Sequence, residues 1–185
     1  MVTLGMLWLP ILVSAVVVFV ASFVMWMVMP HHKSDWRKLP DESGVSAALG
    51  KAPAGMYMIP YCDDAAKMKD QAFMKRYEEG PTGTILLRRR GPASMNGQLA
   101  MSFFYNLVVS FFVAYLASRT RPAGSESLEV FRVVGAATLL AYAGALFYPA
   151  IWMNRPWRVV AKDSMDALVY ALLTAGVFGW LWPAA

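Results

Sequence analysis

Cysteine is almost missing from this chain. Cys62 is the only one, so no disulfide can close within the chain and thiol content reveals nothing about the redox compartment. Histidine is nearly as scarce, with His31 and His32 side by side and no third. Nucleophilic catalysis of the Ser-His-Asp or Cys-His kind needs an imidazole convergent with its nucleophile, and an adjacent pair at one edge of an apolar run gives no such pattern. Charge is sparse as well, at 16% of 185 residues, and the interiors of the long apolar runs hold no Asp, Glu, Lys, Arg or His. Ionisable groups inside a membrane mark proton relays, ion paths and voltage sensors, so their lack argues against a self-contained proton-coupled pump.

What is abundant is apolarity, 58% of the chain. It gathers in four runs: Leu7–Met29, Leu99–Ala117, Val133–Met153 and Met165–Trp182, the last with Asp166 at its edge. About 20 apolar residues cross a hydrocarbon core, so the runs predict four transmembrane helices. The first lacks a basic leading region and is too long for a signal-peptide core, which predicts a retained helix. The expected fold is an all-α membrane protein, a four-transmembrane-helix bundle with a small α/β extramembrane insertion between helices 1 and 2. Its divisions are 1–29 for the first helix, 30–98 for the insertion and 99–185 for the three-helix segment.

Basic residues near membrane ends set orientation. Lys33, Arg37, Lys38, Arg88, Arg89, Arg90, Arg155, Arg158 and Lys162 lie on one side, against Arg119, Arg121 and Arg132 on the other. The excess predicts a cytoplasmic long loop and periplasmic termini. The net charge of +5 then needs no nucleic acid, because its sources sit where anionic lipid attracts them. The run Arg88-Arg89-Arg90 has no interleaved aromatics or binding motif around it, so no nucleic-acid partner is expected.

Within the insertion, "LPDESGVSAALG" predicts a short helix with Asp41 or Ser43 as cap and Gly50 as terminator. "GMYMIPY" and "TGTILLRRR" predict two strands. "DDAAKMKDQAFMKRYEEGP" predicts a helix whose positive end Asp63 and Asp64 suit, with Ala66, Phe73 and Tyr77 on one face. So small a unit has little core of its own and must pack on membrane, bundle or partner. Tyr57, Ile59, Tyr61, Phe73 and Tyr77 are its candidate docking residues.

The stretch "MWMVMPHHKSDW" invites a copper-site reading. Alternate methionines share a face only in an extended chain, whereas an apolar run in lipid must be helical. On a helix only Met25 and Met29 share a face, and adjacent histidines are expected to diverge. His31, His32, Met25 and Met29 are therefore weak metal candidates. The expectation is no metal and no cofactor, with Trp26 and Trp36 as interfacial anchors. Cys62 precedes a predicted helix but has Asp63 and Asp64 rather than a cation beside it, so a structural cysteine and not a nucleophile is expected. The pairs Asp63-Asp64 and Glu78-Glu79 sit at opposite ends of that helix and do not converge for acid-base work.

Polar and small residues at four-residue spacing mark the helix faces. Ser102, Asn106 and Ser110 form one stripe, available for interhelical hydrogen bonds or for lining a neutral path. Ala137, Ala141 and Ala145 form a second, and Ala167, Ala171, Ala175 and Gly179 a third. Small-xxx-small stripes let backbones approach where no hydrophobic effect separates helix from lipid. Pro10 and Pro149 are positions for bends.

The segments "HHKSDWRKLPDE", "YMIP" and "ALLTAGVFGWLWP" resemble a family of bacterial inner-membrane proteins with no assigned activity. The resemblance implies a bacterial inner membrane and no catalytic residue. The expected function is a non-catalytic integral membrane subunit or accessory/assembly protein, partnered by the bilayer and by another protein or a second copy. The alternative is a small homo-oligomeric channel or transporter, and behind it a metal- or redox-handling membrane protein.

Overall fold

The computed structural model describes residues 2–92 and 94–185. The chain divides into two units: Met1–Trp36 with Ser94–Ile151 and Arg155–Ala185, and Arg37–Ala93 with Trp152–Asn154.

Among the described residues, three helices are long and apolar enough to cross a membrane: Leu4–Val28, Asn96–Thr120 and Ser127–Met153. The first is α-helical over α1 (Trp8–Phe23) and ends in a wider turn at Val24–Val28, where Met29 N donates to Val24 O at 2.9 Å. Pro30 disfavours helix at the residue before it, and Met29 is extended, with φ −74° and ψ 141°. A 3₁₀ turn, Pro30–Asp35, follows. The second spanning helix is α4 (Asn96–Thr120), longer at each end than its apolar run. The third contains α5 (Ser127–Ala143) and α6 (Phe147–Met153).

The last helix, α7 (Trp157–Trp180), reaches spanning length, but Arg158, Lys162, Asp163 and Asp166 in its first half set it apart from the other three by composition. It begins well before the fourth apolar run, so Asp166 is not at a helix edge. Asp166 sits inside α7, at 3% exposure.

α5 and α7 form the most extensive helix pair. On α7 the buried face contains Ala167, Ala171, Ala175, Phe178 and Gly179, which includes the whole predicted small-residue stripe. On α5 the buried face is Val130, Val134 and Thr138; Ala141 and Ala145 are exposed and Ala137 is half-buried. The expected alanine stripe is thus not the face that α5 buries within this chain. What brings the backbones together is Gly135, where an added Cβ would lie 3.4 Å from Ala175 Cβ, and Gly179, where it would lie 3.1 Å from Ser127 O. Close packing of this kind is held by many dispersion contacts of about 0.1–0.2 kcal/mol each.

The other seams carry hydroxyls and rings. Ser14 donates to Pro10 O at 2.7 Å, which leaves Ser110 as donor in the 3.0 Å contact between their hydroxyls, joining α1 to α4. Phe19 and Phe103 meet edge-on at 5.7 Å. Leu7, Val113, Ala117, Val130, Val134 and Phe178 belong to one core cluster. The C-terminal segment is tied to the α4–α5 loop by Gly124 N donating to Pro183 O and Trp182 Nε1 donating to Pro122 O, both at 2.9 Å.

The second unit holds α2 (Glu42–Leu49), β1 (Gly55–Ile59), α3 (Gln71–Glu79) and β2 (Gly83–Leu87). Asp41 caps α2, accepting from Gly44 N at 2.8 Å. α3 starts later than its sequence suggests, because Asp70 rather than Asp63 or Asp64 caps it, accepting from Phe73 N at 3.3 Å. Ala66 therefore lies outside the helix, and only Phe73 and Tyr77 remain neighbours on it, with ring centroids 6.4 Å apart. β1 and β2 pair antiparallel, Met56 opposite Leu86 and Met58 opposite Thr84.

Candidate functional site

The structure brings together a group of side chains that lie far apart in sequence. α7 projects Arg158, Lys162 and Asp166 at four-residue steps, which share one helix face. They meet the Pro30–Asp35 turn. Arg158 donates to Ser34 O, and Lys162 Nζ donates to His31 O, to Ser34 Oγ at 2.9 Å and to Asp35 Oδ1 at 2.6 Å. These contacts place residues 30–36 with the helices rather than with the insertion, so the expected boundary at residue 30 moves to 37. Beside them Arg155 pairs with Asp163.

Both histidines converge on one carboxylate. His31 Nε2 is 3.1 Å from Asp166 Oδ1, and His32 Nε2 is 2.9 Å from Asp166 Oδ2. His32 Nδ1 is 2.8 Å from Asp35 Oδ2. The expected divergence of adjacent side chains does not keep these rings apart: they tilt by 44° with centroids 4.1 Å apart. A carboxylate offers two oxygens, and Asp166 gives one to each ring. Local periodicity could not reveal this, because the meeting point comes from α7.

The His32 ring is nearly buried and lies flat under Trp26, centroids 3.9 Å apart and planes within 8°. Burial pulls the His32 pKa down, but hydrogen bonds to Asp166 and Asp35 outweigh it and raise the value above that of a free imidazole. Lys162, then His32, hold the Asp35 carboxyl below the usual range. Lys162 and a protonated His32 balance Asp35 and Asp166 in charge, which lets the group sit away from water.

Trp26 also lines a cavity of about 500 Å³ with Phe19, Ser102, Tyr105, Asn106, Tyr142 and Tyr170. Tyr142 Oη donates to Asn106 Oδ1 at 3.0 Å, while Asn106 Nδ2 finds no partner among the described residues. Of the Ser102/Asn106/Ser110 stripe, Ser110 bonds to α1 and Asn106 to α5, while Ser102 is exposed at the cavity wall.

The remaining sequence candidates fall as follows. Met25 lies in the wide turn and Met29 outside it, 41% exposed; the donors that gather are His31, His32 and Asp166. Tyr57 and Ile59 share one face of the hairpin, and Tyr57 Oη donates to Pro53 O at 2.7 Å. The opposite face presents Met56, Met58 and Leu86, all more than half exposed, and Tyr61 beyond β1 is open as well. Tyr77 is exposed and Phe73 half-buried. Cys62 donates to Asp64 O and is half-buried.

No family model matches the chain, and no curated protein or solved structure does.

Proposed function

We propose that this chain is a non-catalytic integral membrane subunit or accessory protein of a bacterial inner-membrane complex. In this reading α7 serves as a fourth span, both termini face the periplasm, and the insertion faces the cytoplasm, as the basic residues beside Arg37 and Arg88–Arg90 favour. It is the role that the resemblance in "HHKSDWRKLPDE" and "ALLTAGVFGWLWP" leaves open.

One observation carries it. Among the described residues of the second unit, Pro60 alone is buried. A folded hairpin and two capped helices without a core of their own need a surface to lie on. The hairpin offers an apolar one, Met56, Met58 and Leu86, and contiguous apolar exposure of this kind marks interaction sites. Asn106 and Ser110, two of the three polar stripe residues of α4, bond inside the chain, which favours packing over a pore.

Native mass spectrometry of the full chain, extracted in mild detergent from its own membrane, tests the proposal. A foreign protein at fixed stoichiometry is the expected result. A homo-oligomer alone would favour the channel instead, and a bare monomer would count against both.

A further inference from the structure

A neutral imidazole has one N–H and one lone pair. His32 turns both ring nitrogens toward carboxylates, Nδ1 to Asp35 at 2.8 Å and Nε2 to Asp166 at 2.9 Å. If Nδ1–H donates to Asp35, the Nε2 lone pair faces an anionic oxygen, and a cation must stand between them. A proton is one such cation. We infer that a divalent transition-metal ion of the zinc class is another, and that His31, His32 and Asp166 form its binding site.

Donor identity supports this first. Two imidazole nitrogens and one carboxylate, within 4.8 Å of one another, form the His₂-carboxylate set that borderline divalent ions take. Donors bound at about 2.1 Å to one ion, at roughly 90–110° to each other, lie about 3.0–3.4 Å apart. His31 Nε2 is 3.1 Å from Asp166 Oδ1 and His32 Nε2 is 2.9 Å from Oδ2, so an ion held by all three residues requires the carboxylate to turn and the rings to draw together around it.

The surroundings are those of a metal ligand. His32 has an outer carboxylate on its far nitrogen, Asp35, itself held by Lys162 at 2.6 Å. Such a partner fixes the tautomer so that Nε2 presents its lone pair. Trp26 stacked on the ring fixes its plane.

An ion-pair cluster explains less. Lys162 and a protonated His32 already balance Asp35 and Asp166, and that balance has no need of His31. Yet His31 occupies the second oxygen of Asp166, and its Nδ1 is buried without a partner among the described residues. A third ligand accounts for its position. The His31 side chain, 25% exposed, leaves a way in for the ion, and three protein donors leave room for water or another ligand.

The test uses untagged full-length chain carrying Cys62→Ser, which removes the one thiol, in mild detergent. After chelator treatment it is incubated with Zn²⁺, desalted and assayed for metal per chain; Co²⁺ loading is followed by its d–d absorption. One zinc per chain is expected, with loss in His31→Ala and in Asp166→Asn, and with Asp35→Asn weakening binding about 10–100-fold. Substoichiometric zinc in the parent overturns the inference, as does full zinc in either ligand variant. Each variant is checked for elution as the parent does. Should Asp166→Asn aggregate, His31→Ala, whose ring is partly exposed, decides.

Discussion

Replacing Ala175 by leucine is the sharpest test of how α5 and α7 meet. Ala175 has no exposed surface, and its Cβ lies 3.4 Å from where a Cβ on Gly135 would be. The neighbour is helix backbone, which cannot rotate away as a side chain does. Overfilling a packed core costs about 1–3 kcal/mol, and a backbone wall puts this case near the upper end. For a chain of this size each kcal/mol shifts Tm by about 2–4 °C, so a fall of about 6–12 °C is expected. Ala141→Leu serves as the matched control, since Ala141 is exposed on α5 and the change should stay within about 0.5 kcal/mol. Thermal unfolding in detergent, followed by circular dichroism, reads both. Equal losses in the two variants, or an Ala175→Leu protein as stable as the parent, would refute the face assignment and with it the register of α5 on α7.

Three further outcomes are expected. Asp166→Ala removes one of the two buried carboxylates of the cluster, leaving Asp35 alone against Lys162 and His32 and both histidine Nε2 atoms without their partner, and should cost about 3–5 kcal/mol, read as a lowered denaturation midpoint. Gly124 has φ +76°, and a Cβ there would lie 2.9 Å from Ala185 Cβ; Gly124→Val should cost about 1–3 kcal/mol and speed proteolysis of the segment around Trp182. Asn106→Leu removes the bond to Tyr142, and since such bonds within membranes average about 0.6 kcal/mol, its Tm should fall by no more than about 3 °C.

Local signals carried much of the fold. Uninterrupted apolarity marked the helices now seen at Leu4–Val28, Asn96–Thr120 and Ser127–Met153, and turn residues bracketed both strands. Asp41 capped the helix it was expected to cap. Two kinds of information were not local. The start of α7 read as a charged loop, because Arg158 and Lys162 are satisfied by carbonyls and a carboxylate of the Pro30–Asp35 turn, remote in sequence. The buried face of α5 was ambiguous: Val130, Val134 and Thr138 recur at the same spacing as the alanines, and only the close approach at Gly135 chooses between them.

The candidate site was hidden for the same reason. As neighbours on a chain, His31 and His32 offer no geometry, and Asp166 reads as the flank of an apolar run. Their meeting depends on a proline-started turn docking against α7. The hairpin shows a smaller version of this. Aromatic and β-branched character marks Tyr57 and Ile59, whereas strand alternation and register put Met56, Met58 and Leu86 on the open face.

The proposed function puts the open hairpin face on a partner protein. A photocrosslinking residue placed at Met56 or Leu86, and separately at Tyr57 on the other face, tests it in intact membranes. One discrete adduct is expected, the same protein from both Met56 and Leu86, and little from Tyr57. Crosslinks only to lipid or to the chain itself would contradict it.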